Sequence, residues 1–325
     1  RAGVWHTVCV IPFIVSSRDH VMKFACLLLS TMALSAAFSA PAAAAEQLDD
    51  KPRIAVMSAF EPEWKTLLTQ VSDAQEHVLN GRRFVTGSMA GKDVVLFLSG
   101  VSMVNAAMTT QQALDHFDIT SIVFSGIAGG VDPSLSVGDV VVSDQWGQYL
   151  EAIFARESEG TFAIPPFLDT QFPNFGMIYP NESEVVRDGS AEPEDRFWFP
   201  VDGKLLETAR QVASEVTLAK CASEGRCLST QPKVLVGGNG VSGPAFVDNA
   251  AFREFTFDTF QAKVLDMESA ATAHVAYSNG VPFIAFRSLS DLAGGGEGEN
   301  EMGTFFALAS ENSAKVVQAF LAALP

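Results

Sequence analysis

The sequence predicts an α/β fold, a single three-layer α/β/α domain around a central, mostly parallel, twisted sheet. Short, continuous apolar runs alternate along the chain with stretches of helical periodicity. Strands that are apolar on both faces are typical of a parallel sheet covered by helices on each side. The chain has 325 residues, of which 48% are hydrophobic and 18% charged, so it contains enough apolar side chains for a large core.

The strands are predicted from the positions of the apolar runs. The first, at residues 53–60, ends at a Glu-Pro-Glu sequence that suits the start of a helix. The second, at residues 94–98, is followed by a Ser-Gly turn and a helical stretch, and the third, at 119–124, runs into the glycine-rich sequence Ser-Gly-Ile-Ala-Gly-Gly, which we predict as a turn. Ligands of such sheets bind at the carboxyl ends of the strands, so the residues after each run are the candidates for a site. Further strands are predicted at residues 137–143, 233–236, 263–265 and 282–286.

Residues 1–45 are expected to lie outside the folded domain, which is predicted over residues 46–325. A Met-Lys start at Met22, an apolar stretch and an Ala-rich site ending near Ala45 are the parts of a secretory signal peptide. We expect the residues before Met22 to lie upstream of the true translation start. The apolar stretch is too short for a membrane span. The prediction is therefore a periplasmic or secreted protein with no membrane attachment after the signal is cleaved.

A Phe- and Pro-rich segment at about residues 151–202 interrupts the alternation of strands and helices. It has many carboxylates and little periodicity, but it is too aromatic for a disordered linker. We predict an ordered insertion with a long, irregular path. It could cover the active site, line a subunit interface or only add surface.

Charge and cysteine content limit the partners and cofactors. The formal charge of −17 argues against a broad phosphate-binding surface, and so against nucleic acid, but not against a small nucleoside in a pocket. Cys221 and Cys227, six residues apart, predict a small structural disulfide in an oxidising compartment. A metal site at these cysteines would need further ligands, and a catalytic thiol would need a His nearby in the sequence. Neither glycine-rich turn matches a dinucleotide or P-loop motif, so no metal or organic cofactor is predicted.

Carboxylates follow three of the predicted strands. Glu63 lies in a first helical turn, where unpaired amides and the helix dipole favour an ionised proton acceptor, although ordinary acidic capping would look the same. Glu268 and Asp291 stand where apolar runs end. A buried carboxylate is costly unless it is paired or used, so these two positions favour a functional interpretation, with a helix cap or an ion pair as the alternative.

Six ordered stretches resemble the nucleoside phosphorylase and nucleosidase superfamily, and are most similar to the 5′-methylthioadenosine/S-adenosylhomocysteine nucleosidases and their exported relatives. They span residues 53–324 except for the insertion and the cysteine-bearing region. The stretches are IAVMSAFEPEW, LSGVSMVNAAMTTQQALDHF, IVFSGIAGGVDPSLSVGDVVVSD, VSGPAFV, LDMESAATAHVAYSNGVPFIAFRSLSD and FFALASENSAKVVQAFLAAL.

The resemblance implies a role for each matching residue. Glu63 matches the carboxylate that activates the attacking water, and Asp291 matches the acid that donates a proton toward purine N7. Glu268, with Met267 beside it, matches the residue that binds the ribose hydroxyls. Ser290, next to the acid, is placed in the substrate site with them.

Five further residues are assigned to the substrate in the same way. Ser99 lies where the family contacts the sugar and the nucleophile, and Phe246 and Val247 lie where the base stacks and meets the backbone. Phe60 and Phe305 are candidates for an apolar pocket around the 5′ group, with core packing as the alternative role of Phe305.

The resemblance implies a homodimer that hydrolyses the N-glycosidic bond of a purine nucleoside, for catabolism or salvage, without a cofactor. Two alternatives stay open, a phosphate-dependent phosphorylase and a non-catalytic nucleoside-binding or storage-type relative. Phosphorylases of the superfamily hold phosphate with an Arg and a Ser at about the positions of Phe124 and Ile127, whose side chains bind no anion, which favours water as the nucleophile. Pro244 and the glycine loop after Asp291 depart from the family pattern.

Overall fold

A computed structural model describes residues 45–222, 225–296 and 298–325, which are organised around a twelve-stranded sheet. Residues 1–44, which include nearly all of the predicted signal peptide, lie outside the described residues. In chain order the strands are β1 (Asp49–Ser58), β2 (Ser72–Leu79), β3 (Arg82–Met89), β4 (Lys92–Leu98), β5 (Phe117–Gly130), β6 (Val140–Val142), β7 (Gln145–Gly147), β8 (Ala152–Phe154), β9 (Arg156–Ser158), β10 (Thr161–Ala163), β11 (Ile178–Pro180), β12 (Ser183–Val185), β13 (Glu194–Arg196), β14 (Trp198–Pro200), β15 (Val234–Val236), β16 (Asn239–Ser242), β17 (Ala262–Asp266) and β18 (Phe283–Asp291). The helices are α1 (Glu61–Leu68), α2 (Met103–His116), α3 (Gly203–Ala213), α4 (Ala250–Phe260), α5 (Ser269–Ser278) and α6 (Met302–Ala323).

The predicted mostly parallel sheet is confirmed. Its main path runs β14-β7-β16-β17-β5-β1-β4-β3-β2, and β18 pairs with both β5 and β6. The central pairs β1–β4, β1–β5 and β5–β18 are parallel, whereas the pairs β2–β3 and β3–β4 are antiparallel. All nine residues of β18 are buried, as expected for a strand with helices on both of its faces.

The antiparallel edge was not predicted from the sequence. The outermost strand, β2, has the sequence SDAQEHVL and is largely exposed, so it has no apolar run to reveal it. Charged and polar side chains on an edge strand also discourage pairing with another chain.

The prediction that the third strand ends in a glycine turn was wrong, because β5 continues through Gly130. The glycines of β5 do not form a turn, but they allow other side chains to approach the backbone of this strand closely. A Cβ atom at Gly126 would lie 2.1 Å from a guanidinium nitrogen of Arg287, and one at Gly129 would lie 3.3 Å from the Asp291 carboxylate. Glycine thus allows two charged side chains to lie directly against the strand.

The helices pack in two groups against the sheet. Helix α2 packs on α5, and α6 packs on α1 and α3 while contacting β5 and β18. Along the chain, β1 leads into α1, β17 leads into α5, and β18 leads into the loop before α6. None of the helices in the described part of the chain has the length and apolar character needed to cross a membrane.

The 151–202 segment consists of short strands with an aromatic anchor. Three two-stranded antiparallel sheets, β9–β10, β8–β11 and β12–β13, precede β14, which joins the main sheet beside β7. Phe172 packs 4.3 Å from Phe197 and 5.2 Å from Phe260, and Phe175 packs 5.0 Å from Phe252, as measured between ring centroids. The segment is therefore attached to α4, the helix that follows the loop carrying Phe246 and Val247.

The predicted disulfide between Cys221 and Cys227 is present, with an S–S distance of 2.05 Å. The chain just before it is held to α6 by the Asn312 side chain, which accepts a hydrogen bond from the Ala219 amide at 2.8 Å and donates one to the Ala219 carbonyl at 3.0 Å.

Candidate active site

A cavity of about 200 Å³ opens where β1, β5, β17 and β18 end. Its walls combine apolar side chains with buried carboxylates, a combination typical of small-molecule sites. The carboxylates are Glu63, Asp266, Glu268 and Asp291. The apolar walls are formed mainly by Phe60, Val101, Ile127, Phe246, Val247, Leu265, Met267 and Met302.

Glu63 is held at the start of α1 by backbone amides from two elements. Its Oε2 accepts hydrogen bonds from the Ala59 and Phe60 amides at 3.1 and 2.9 Å, and its Oε1 accepts one from the Ile127 amide of β5 at 2.8 Å. Burial raises the pKa of Glu63, and the nearby Arg287 and the three amides oppose that rise. A carboxylate accepts about four hydrogen bonds, so one position remains on Oε1 for a water molecule. Glu63 thus does more than the ordinary capping that the sequence also allowed.

Glu268 immediately precedes α5 and lines the cavity. Its Oε1 accepts a hydrogen bond from the Ser102 amide at 2.7 Å, and its Oε2 lies 3.6 Å from the Arg287 guanidinium. Burial, together with the neighbouring Asp266 carboxylate, raises the pKa of Glu268 to about 7, although the charge of Arg287 opposes the rise. The carboxyl group can therefore both donate and accept hydrogen bonds near neutral pH.

Arg287 was not predicted as a site residue. It is 1% exposed in the middle of β18, its Nε lies 2.7 Å from the Asp266 carboxylate, and its guanidinium stacks on the Phe124 ring at 4.0 Å. The signal in the sequence was a single Arg inside the apolar run FIAFRSLSD, since a fully buried Arg is rare unless it is paired. Its charge partly balances the carboxylates of the cavity.

Asp291 ends β18 opposite Gly129 of β5. Its Oδ2 accepts a hydrogen bond from the Ser290 hydroxyl at 2.9 Å, and its Oδ1 accepts one from the Ala293 amide at 2.8 Å. Burial raises the pKa of Asp291, although these bonds oppose the rise. A carboxyl group in such a place holds its proton at a higher pH than an exposed Asp does.

The predicted base-contact residues lie at the mouth of the cavity. Phe246 is 58% exposed, whereas Val247 is buried beside it. Met267 and Ser290 also line the cavity, as does Phe60. The structure therefore brings most of the predicted residues together around one cavity.

Phe305 and Ser99 do not line this cavity. Phe305 packs in a buried cluster with Val137, Leu228 and Leu308, so its alternative role in core packing describes its position. One helical turn earlier, Met302 lines the cavity, and Phe306 packs on the Phe60 ring at 6.0 Å between centroids.

Ser99 is fully buried behind the cavity wall. Its hydroxyl donates to the Gly100 carbonyl at 2.9 Å, and its own carbonyl accepts hydrogen bonds from Arg82 and Thr109. Its contacts are those of a residue that shapes the turn after β4. Val101, two residues later, is the residue of this turn that reaches the cavity.

No group of three or more His, Cys, Asp or Glu side chains that could hold a metal ion occurs within residues 45–222, 225–296 and 298–325.

We expect Glu268→Gln to stabilise the protein without ligand at pH 8. A Glu with a raised pKa in the folded state contributes stability that is fully present below its ordinary pKa and is lost as the pH rises through about 7. The isosteric Gln stays neutral, so it removes this loss, by ~1–3 kcal/mol, or several degrees in Tm. Melting curves at pH 5 and pH 8 check this, with Glu254→Gln on the exposed face of α4 as the control. Equal melting temperatures of variant and wild type at pH 8 would contradict the expectation.

Comparison with known proteins agrees with this architecture. Residues 53–322 match the family described as the Phosphorylase superfamily. The 5′-methylthioadenosine/S-adenosylhomocysteine nucleosidase of Marinomonas sp. (strain MWYL1) is 30% identical over 271 residues, which cover 82% of this chain and 97% of that protein. Bark storage protein A of Populus deltoides is 32% identical over 222 residues, covering 66% and 70% of the two chains.

A solved structure shows the same fold. The S-adenosylhomocysteine nucleosidase from Streptococcus pyogenes in complex with 5-methylthiotubericidin superposes with a TM-score of 0.63 at 26% identity, over 86% of this chain and 99% of that one. The matched region contains Glu63, Glu268 and Asp291, the three buried carboxylates that lie at or just after the ends of β1, β17 and β18. The chain therefore belongs to the phosphorylase superfamily.

Proposed function

We propose that this protein hydrolyses the N-glycosidic bond of purine nucleosides of the 5′-methylthioadenosine or S-adenosylhomocysteine type, releasing the free base and a ribosyl product. The observation that carries the proposal is the arrangement of Glu63, Glu268 and Asp291 around one largely apolar cavity. The nucleosidase relative from Marinomonas, at 30% identity over nearly its whole length, supports the same activity. Nucleoside catabolism or purine salvage is the role that such a reaction would serve.

Asp291 acts as the general acid in this proposal. As the bond between C1′ and N9 breaks, the leaving purine gains negative charge, which a proton delivered to N7 neutralises. The raised pKa of Asp291 favours the protonated form that this step needs. The Ser290 hydroxyl and the Ala293 amide hold the carboxyl group in place.

Glu63 acts as the general base. The remaining acceptor position on its Oε1 binds the attacking water and takes its proton, while the water oxygen bonds to C1′. The sugar passes through an oxocarbenium-like state, which the ionised Glu63 carboxylate also stabilises. Burial raises the pKa of Glu63, and Arg287 and the three backbone amides oppose that rise, so they favour the ionised form that accepts the proton.

Glu268 binds the ribose hydroxyls, and the loop of Phe246 and Val247 binds the base. The exposed Phe246 ring offers a stacking face, and both residues line the cavity with Ala245. On the 5′ side, Phe60, Val101 and Met302 offer apolar contacts that suit an alkylthio group better than a charged one.

Water is the preferred nucleophile because the site offers little to hold phosphate. No Lys, Arg or His is among the described residues that line the cavity. The Phe124 ring is stacked beneath Arg287, and the Ile127 amide is used by Glu63. Arg287 itself lies beside the Asp266 and Glu268 carboxylates, which balance its charge.

The decisive experiment is base release by residues 46–325 from methylthioadenosine, S-adenosylhomocysteine, adenosine, inosine and a pyrimidine nucleoside, with and without phosphate. Free base and free ribosyl product without phosphate support the proposal and rank the substrates. Release that requires phosphate would favour the phosphorylase alternative. Tight nucleoside binding without release would favour a storage-type protein, a class to which the similarity with bark storage protein A draws attention.

We also propose that the protein forms a homodimer through α2. Val101, Val104 and Met108 form an exposed apolar stripe, with Val104 78% exposed, and this stripe continues from the cavity wall along the helix. Exposed apolar stripes of this kind are typical of interfaces. Light scattering is expected to give twice the monomer mass, and Val104→Asp is expected to shift it toward the monomer, whereas Val78→Asp on the β2 edge serves as a control. A wild-type monomer at working concentration would contradict the proposal.

Export to the periplasm or the medium stays a proposal, supported by the signal-like sequence ending near Ala45 and by the disulfide between Cys221 and Cys227. Mass spectrometry of the N-terminus of protein isolated from a cell fractionation checks it. A mature protein that begins near Glu46 is the expected result, and an uncleaved cytoplasmic chain would contradict it.

A further inference from the structure

A side chain from the segment just before α6 bridges two carboxylates at the edge of the cavity. The Nδ2 atom of Asn300 lies 3.1 Å from Oδ1 of Asp248 and 3.4 Å from Oδ1 of Asp291. Its Oδ1 accepts a hydrogen bond from the Met302 amide at 2.9 Å, so the direction of the side-chain amide is set by the start of α6. The two Nδ2 hydrogens therefore point to the two carboxylates.

The loops that carry these carboxylates touch each other directly. Asp248 follows Val247 in the loop predicted to bind the base, and the Asn249 amide donates to the Ala293 carbonyl at 3.1 Å. Gly294 has a φ of +87°, and a Cβ atom there would lie 2.3 Å from the Asn249 nitrogen. Only glycine allows this approach, and the base loop and the Asp291 loop are joined at both the backbone and the side chains.

We propose that Asp248 and Asn300 are positioning residues of the nucleosidase, which hold the Asp291 carboxyl group and its proton toward the leaving purine. The inference rests on the proposed function and deepens it, because it names the groups that control the general acid. The Asn300 side-chain amide orients the Asp291 carboxyl group by donating to Oδ1 of Asp291. The Asp248 carboxylate makes ionisation of Asp291 less favourable. The arrangement therefore links the position of the base loop to the orientation and protonation of Asp291.

The electrostatics around Asp291 agree with this arrangement. Burial is the main cause that raises the pKa of Asp291, and the charge of Asp248 raises it as well, whereas the hydrogen bond from Asn300 lowers it. Asp248 and Asn300 thus act on the acid in opposite directions.

Several other charged groups lie on the helices, strands and loops around Asp291. Glu63 of α1 and Glu268 just before α5 line the same cavity. Arg253 of α4 donates to the Gly130 carbonyl at 2.9 Å, and Arg287 of β18 is held by Asp266. Glu299 and Glu301, on either side of Asn300, are exposed. Asp248 is the charged group that shares a hydrogen-bond donor with Asp291.

The test compares Asp248→Asn with Asn300→Ala across a pH profile of kcat/KM. Activity requires protonated Asp291, so the alkaline limb reports its pKa. Asp248→Asn removes a negative charge and is expected to shift this limb down by ~0.5 pH unit, a modest shift because Asp248 is exposed. Asn300→Ala removes a donor to the ionised form and is expected to shift the limb up, with kcat reduced about tenfold because the carboxyl group is less well oriented. Glu299→Gln, at the exposed neighbouring position, is expected to leave the profile unchanged.

A second readout does not need turnover. Adenine binding, measured by calorimetry, also requires the Asp291 proton, so its Kd is expected to rise at high pH with the same opposite shifts in the two variants. Unshifted limbs in both variants, or shifts in the same direction, would overturn the inference while leaving the proposed function intact. Adenine binding with the expected shifts but no base release would overturn the function and keep the positioning role. A wild-type protein that binds no purine overturns both.

Discussion

Asp291→Asn is expected to lower kcat for purine nucleosides by ~10²–10⁴-fold, because the Asn amide cannot deliver a proton to N7. Asn keeps the shape of the side chain and an oxygen that can accept from the Ala293 amide or the Ser290 hydroxyl, so nucleoside binding is expected to persist. The alkaline limb of the pH profile, which reports the loss of the Asp291 proton, is expected to disappear with the activity. Steady-state kinetics together with calorimetric binding check both parts.

A substrate with a better leaving group makes this prediction sharper. The nitrophenolate group of a nitrophenyl riboside leaves without being protonated. Hydrolysis of this substrate by Asp291→Asn is therefore expected to stay within about tenfold of the wild-type rate. Asp132→Asn is the matched control, since Asp132 pairs with Lys263 at 3.0 Å and does not line the cavity. Equal losses for purine and nitrophenyl substrates would assign Asp291 to binding or folding and not to proton donation.

Glu63→Gln is expected to lower turnover by ~10²–10⁴-fold for both kinds of substrate, because activation of water is needed whatever the leaving group. Gln has one oxygen where the carboxylate has two, so one set of amide donors among Ala59, Phe60 and Ile127 loses its acceptor. A buried amide without a partner costs ~1–3 kcal/mol, and a lower Tm is expected as well. Kinetics with both substrates and melting curves measure the two effects.

The stability loss has to be separated from the loss of the base. Glu63→Ala opens space beside the cavity, and added formate, which can take up a proton as the carboxylate did, is expected to restore part of the turnover without restoring Tm. Glu61→Gln is the matched control, since Glu61 is exposed and pairs with Lys65 on the surface of the same helical turn. Turnover by Glu63→Gln close to that of the wild type would remove Glu63 from its role as the base.

Much of the architecture followed from local patterns. Apolar runs on both faces of a strand require cover on both sides, which predicts a parallel sheet with helices around it, and β1, β4, β17 and β18 lie close to where these runs placed them. The edge strand β2 was not predicted, because its residues are largely exposed and show no periodic pattern of apolar side chains. The β5 glycines were assigned to a turn because a sequence does not distinguish a glycine needed for φ from one needed for close approach.

The residues at the site show the same division. The sequence determined that Glu63, Glu268 and Asp291 stand at or just after strand ends, because a carboxylate that follows an apolar run can be recognised from the sequence alone. Only the tertiary structure decided which partners surround them: the Ile127 amide on Glu63, Arg287 between the carboxylates, and Asn300 between Asp248 and Asp291. The face of α6 that reaches the cavity was likewise decided in three dimensions, where Met302 lines the wall and Phe305 packs in the core. Contacts between residues far apart in the chain depend on the register and packing of whole elements, and local sequence does not specify these, whereas hydrophobic period and turn chemistry are local properties.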